Sequence, residues 1–151
     1  MNTDTAQLET LLSQGEFRLL NGDPTGMDCF EKAAALDPLN GHLFYRQGLS
    51  LFEFGSEEGK EKVLLLAAKK FRQATQLDPF FLAAWHTWGN ALALLGITSS
   101  EHHYFKEAEE KYRRALLLEK WGKPDTLADL HWDYGIVWTY IANFSGEALD
   151  L

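Results

Sequence analysis

The sequence predicts an all-α fold of antiparallel helix pairs stacked side by side. Three observations carry this expectation. Apolar residues recur at helical spacing, no segment alternates as a half-buried strand would, and one layout returns after 41 residues. Leu64, Ala67, Phe71, Ala74 and Leu77 step by three or four, as do Phe105, Ala108, Tyr112, Ala115 and Leu118.

Pro38 and Pro79 each follow Leu-Asp and mark the repeat. A shift of 41 positions places Phe44 on Trp85, Gly48 on Gly89, Leu51 on Leu92 and Gly55 on Gly96. The register continues with Ala67 on Ala108, Phe71 on Tyr112, Ala74 on Ala115 and Leu77 on Leu118, and it includes surface residues, Lys70 on Lys111 and Arg72 on Arg113. Size class kept at so many positions identifies an internal repeat.

In chain order, helices are expected at 4–20, 24–37, 41–54, 58–77, 80–95, 101–120 and 126–143, with a stub after Ser145. Asp37-Pro38 and Asp78-Pro79 end one helix, because the residue before proline avoids the α region, and proline is tolerated as the next begins. In the sixth segment Glu107, Glu109 and Glu110 precede Lys111, Arg113 and Arg114 by four residues, the favourable order for helical ion pairs. Between paired helices, "GSEEGKE" and "GITSSEH" are expected to form a longer loop plus an N-terminal extension of the second helix, with Thr98 and Glu101 as a capping box.

The glycines and alanines sit where helices must approach closely. Gly48, Gly89 and Gly135 are expected to admit the neighbouring helix, with Ala67 and Ala108 as the matching small surface. Phe44, Leu51, Phe71, Trp85, Leu92, Tyr112 and Trp138 would fill the space between units.

The layout Trp85-x2-Trp88-Gly89-x2-Leu92, Ala108-x3-Tyr112, Ala115 resembles the tetratricopeptide repeat, a helix–turn–helix unit of 34 residues. Phe44-x2-Gln47-Gly48-x2-Leu51 with Ala67-x3-Phe71, Ala74 and Pro79 repeats it. Gly15, Gly26-x3-Phe30, Ala33 and Pro38 precede it, and His131-x2-Tyr134-Gly135-x2-Trp138 follows. The resemblance covers nearly the whole chain. It implies a single tetratricopeptide-like α-solenoid over 1–151, with three complete units at about 4–38, 41–79 and 82–120 and a truncated fourth at 126–151, coiled into a short right-handed superhelix. The 41-residue period is seven longer than the family's, which is two helical turns to within about 20°. Lys120 stands where the family closes a unit with proline, and the last unit lacks most of its second helix. Its open face, with Trp138 and Ile141, would be covered either by another subunit, as in a homodimer, or by further repeats if the chain is the start of a longer array. The second expectation is preferred.

In the family, the first helix of each unit lines a concave groove for a peptide or helix. Carried over by register, that groove would present His42, Tyr45, Leu49, Phe52, His86, Asn90, Asp129, Trp132, Ile136 and Tyr140. One subtype grips a C-terminal carboxylate with Lys, Asn and Arg. Asn90 matches one position, but His86, Asp129 and Asp133 stand where cations are needed, so an apolar or basic protein segment is the expected partner.

Composition points the same way. The chain has 151 residues, 46% apolar and 24% charged, which suits a folded core. A formal net charge of -8 argues against nucleic acid and anionic membrane as partners. No apolar run reaches the ~20 residues of a membrane span, and a single cysteine, Cys29, suits a cytoplasmic location. Cys29 reads as a small core residue beside Asp28 and Glu31, which would not activate a thiol. His102-His103 lacks the further ligands a metal requires. No phosphate loop or nucleophile elbow is present, so no catalytic residue, cofactor or metal is assigned. The expected function is non-catalytic protein–protein binding, as a scaffold or assembly module. The runner-up is a chaperone similar to the small acidic tetratricopeptide proteins of type III secretion, which the 41-residue period fits less well. The third reading is an enzyme with an unrecognised helical site.

Overall fold

The computed structural model describes residues 3–58 and 60–145. Among these there are seven α-helices, one short 3-10 turn and no strand. No described helix is long and apolar enough to cross a membrane. The helices are α1 (Thr3–Leu20), α2 (Gly26–Leu36), α3 (Gly41–Glu58), α4 (Glu61–Leu77), α5 (Leu82–Ser99), α6 (His103–Leu116) and α7 (Pro124–Ser145). The expected stub after Ser145 lies outside the described residues. The chain forms two compact units, Met1–Pro79 and Phe80–Leu151.

In the first unit α1 packs on α2, and α3 packs on α4 and on α1. Helix α1 ends at Leu20, and Gly22 just beyond it has a φ of 76°, in the left-handed region that glycine adopts without strain. The Gly22 N–H donates to the Leu19 carbonyl and the Asp23 N–H to the Arg18 carbonyl, so two end carbonyls of α1 are satisfied. At the two Leu-Asp-Pro sites, the Asp37 N–H donates to the Ala33 carbonyl and the Asp78 N–H to the Ala74 carbonyl. The repeated residues close their helices with the same bond. Asn40 then caps α3 by accepting from the Leu43 N–H at 3.2 Å.

Glycine against ring is the packing device of both units. A methyl group at Gly15 would stand 2.8 Å from the Phe30 ring, one at Gly48 2.7 Å from Phe71, and one at Gly96 2.9 Å from Phe105. At Gly89 it would collide with Tyr112. Phe30, Phe71, Phe105 and Tyr112 are all fully buried. Gly48 faces Phe71 while Gly55 faces Leu64, so seven residues forward on α3 match seven residues back on α4. That is antiparallel packing in a constant register. In the second unit α5 packs on α6, and α7 packs on both.

Three expectations are corrected here. The seven extra residues do not lengthen a loop: α3 runs to Glu58 and α5 to Ser99, so both first helices take up residues assigned to the connection. Thr98 consequently lies in the last turn of α5, where its hydroxyl donates to the Leu94 carbonyl, and it forms no capping box with Glu101. The turn is made instead by Ser100 at φ 59°. Secondly, Gly135 has nothing within 4 Å of a methyl placed on it, and Trp138 is 46% exposed, because no described helix lies against that side of α7. Thirdly, the last four residues of the expected sixth helix do not continue it: α6 ends at Leu116 and a 3-10 turn follows at Glu119–Trp121.

Of the three expected ion pairs on α6, Glu109–Arg113 forms at 2.7 Å. Lys111 lies over the Trp88 ring, 4.2 Å from its centre, and Arg114 over Trp85 at 5.9 Å. A cation above an indole face gains from the ring quadrupole while its stem covers apolar surface. Lys70 stands likewise over Phe44 at 5.8 Å in the first unit, and burial together with the neighbouring Lys69 lowers its pKa.

The glycines give opposite predictions. Gly89→Leu should cost about 1–3 kcal/mol or more by overpacking a buried ring. Gly135→Ala, in open space, should instead stabilise by up to about 1 kcal/mol through helix propensity. Urea melts of the two variants should move in opposite directions.

Candidate functional site

The residues expected to line a groove fall into two groups, one in each unit. On α3, His42 is exposed and meets Tyr45 edge-on at 6.2 Å, and Tyr45 lies against Phe71 at 6.1 Å. Burial raises the pKa of the Tyr45 phenol. Phe52 is half-buried. Leu49 faces a cleft of about 340 Å³ between α1 and α3, together with Ser13, Glu16, Phe17, Leu20, Arg46, Ser50 and Glu53.

Arg46 organises that cleft. Its guanidinium donates to Glu16 Oε2 at 2.9 Å and Oε1 at 2.5 Å, and to Glu9 Oε2 at 2.8 Å. A two-pronged arginine–carboxylate contact fixes direction as well as distance, so α1 and α3 are held at a set angle. The hydrogen bond to Arg46 holds the Glu9 carboxyl below its ordinary range, against a small opposing effect of burial. Beyond this cluster Phe17 is 68% and Leu20 65% exposed. They form an apolar lip that the groove assignment missed, because the N-terminal unit supplied only Gly15, Gly26, Phe30 and Ala33 as register marks. A helical projection of α1 would have found it: Ser13, Glu16, Phe17 and Leu20 share one face.

In the second unit His86 and Asn90 are used internally. His86 is buried and its Nε2 lies 2.7 Å from Asp133 Oδ2, tying α5 to α7. The Tyr112 hydroxyl donates to Asn90 Oδ1 at 2.7 Å, tying α6 to α5. Burial, with the Asp133 carboxylate adding to it, pushes the Tyr112 phenol far above its ordinary range. Tyr140 stacks flat on Phe105, 4.8 Å between centroids. Only Asp129, Trp132 and Ile136 remain exposed, all on the outer side of α7.

Cys29 is buried and unpaired with another cysteine. His102 and His103 are exposed at the start of α6, with His103 Nδ1 3.4 Å from Glu101. Among the described residues no three His, Cys, Asp or Glu side chains are grouped to hold a metal ion. No protein-family model matches the chain, and no curated protein emerges as its relative.

The Tyr112 network is a stability element. Asn90→Ala leaves a buried hydroxyl without an acceptor and should cost about 1–3 kcal/mol, more than Tyr112→Phe, which frees only a half-buried amide. The phenol also sets an alkaline limit. Its pKa is higher folded than unfolded, so its contribution is complete below about pH 10 and is lost as pH rises beyond that value. Urea melts at about pH 8 and about pH 11 should show the second unit weakening in alkali, and Tyr112→Phe should flatten that slope.

Proposed function

We propose that the chain is a tetratricopeptide-like repeat module that binds a protein segment without catalysis, and that the binding surface of its first unit is the cleft between α1 and α3. The recurrence of glycine-on-ring packing in the 41-residue register supports the repeat reading. The cleft itself carries the functional reading. Phe17, Leu20 and Leu49 give it apolar area, Glu53 borders it with negative charge, and the cluster of Glu9, Glu16 and Arg46 carries more carboxylate than guanidinium. Arg46, the cation present, is already neutralised by two carboxylates. Exposed aromatic and aliphatic side chains rimmed by charge are the marks of a protein-binding patch. An apolar segment with lysine or arginine at its edges is the ligand that this chemistry favours.

A library of displayed peptides selected on the full chain should yield binders of that composition. Because Phe17 and Leu20 are exposed, Phe17→Ser with Leu20→Ser should leave the melt within about 0.5 kcal/mol of the parent. The same pair should weaken the selected peptide at least about tenfold. Unchanged affinity in the double variant would show that the cleft is not the site.

A further inference from the structure

We propose that Met27 is an oxidation site whose sulfoxide oxygen is received by the buried amide of Gln47. The residue before the motif glycine is Gln47 in the first unit, and Trp88 and Tyr134 in the second. Trp88 stacks on Trp85 beneath Lys111, and Tyr134 lies against Tyr112. Both are half-buried, whereas Gln47 is only 1% exposed. A primary amide taken so far out of water needs good acceptors for its N–H groups. Among the described residues, Gln47 Nε2 donates to the Met27 sulfur on α2, 3.9 Å away. A thioether is a weak acceptor, so a buried donor is held beside a group that satisfies it poorly.

Oxidation replaces that acceptor with a strong one without moving either helix. A sulfoxide oxygen stands about 1.5 Å from its sulfur, and N–H···O bonds close at about 2.9 Å. With Nε2 and Sδ 3.9 Å apart, both lengths are met together when the S–O···N angle is about 120°. An oxygen's lone pairs point in about that direction, so the new bond is well aimed. The sulfur is also within reach of small oxidants, because Met27 is half-buried in the first turn of α2. Cys29, two residues further on, is buried. In most cores a sulfoxide disrupts packing, because its polar oxygen has no donor. Here the donor is already in place, and the bond ties α2 to α3, the helix that carries Arg46 and Leu49.

The oxidant is hydrogen peroxide. A lone pair of Sδ attacks one peroxide oxygen, and the O–O bond breaks with its electrons on the other. That oxygen leaves as hydroxide and becomes water by taking the proton from the oxygen now bound to sulfur. Sulfur gives up two electrons and the peroxide accepts them. Sulfoxide reductases restore the thioether.

The full chain is treated with dilute hydrogen peroxide, and the added oxygen is located by peptide mass mapping. It should be found on Met27, with Cys29 unchanged. The urea midpoint of the oxidised chain should equal or exceed that of the untreated chain. In Gln47→Leu, which offers no donor, the same oxidation should lower the midpoint. Met27→Leu should not respond to the treatment, which separates Met27 from Met1, the other methionine of the sequence. Amide hydrogen exchange in the first turn of α2 should slow when the parent chain is oxidised, a readout that needs no variant. A Met27 that stays reduced while Met1 is oxidised would overturn the proposal. So would an oxidised parent whose α2 exchanges as fast as before, or one that loses as much stability as oxidised Gln47→Leu.

Discussion

Leaving out a side chain at one point of a helix lets a ring from the next helix lie directly on its backbone, and this contact sets the spacing within the pairs α1 with α2, α3 with α4 and α5 with α6. Gly15, Gly48 and Gly89 each seat a buried ring, from Phe30, Phe71 and Tyr112. The short approach brings Ala33, Ala67, Ala74, Ala108 and Ala115 to complete burial. It also fixes the register. Once Gly48 is on Phe71, Gly55 must meet Leu64, and the outer residues of both helices are assigned to solvent with no further choice. A helix interior glycine costs about 1 kcal/mol relative to alanine. Burying a large ring against it returns more than that.

The same constraint explains where the polar groups ended up. A tyrosine seated on Gly89 carries its hydroxyl into the interior, where it needs an acceptor, and Asn90 is the next residue along. Phe71 has no hydroxyl, and its counterpart beside Gly48 is Leu49, which faces the cleft instead. One exchange of ring type thus decides whether the residue after the glycine is committed to internal bonding or left available at the surface. Phe with Leu and Tyr with Asn are matched pairs.

Much of the helical architecture could be read from the sequence because its marks are local. The proline-punctuated ends at Asp37 and Asp78 and the periodicity of α4 and α6 depend on residues close in the chain. The extension of α3 and α5 could not be read so directly. Gly-rich connections resemble loops, but Gly55 and Gly96 are helical because a neighbouring side chain, Leu64 or Phe105, occupies the space beside them. The site residues were harder still. Leu49 lines a surface cleft, but the burial of His86 depends on Asp133, 47 residues away, and no local signal announces that bond. Lys111 and Arg114 were matched to carboxylates by spacing alone, whereas tryptophan faces on α5 compete for them.

Repetition makes a departure from the pattern informative. Gly135 occupies the same place in its motif as Gly48 and Gly89 but differs in its flanking residues, and no described side chain sits on it. In the first two cases the residues around the glycine are unlike one another, as suits a partner helix of different sequence whose side chains differ at each level. Helix propensity gives no reason to retain glycine at that point, and packing among the described residues gives none either, since none of them touches it.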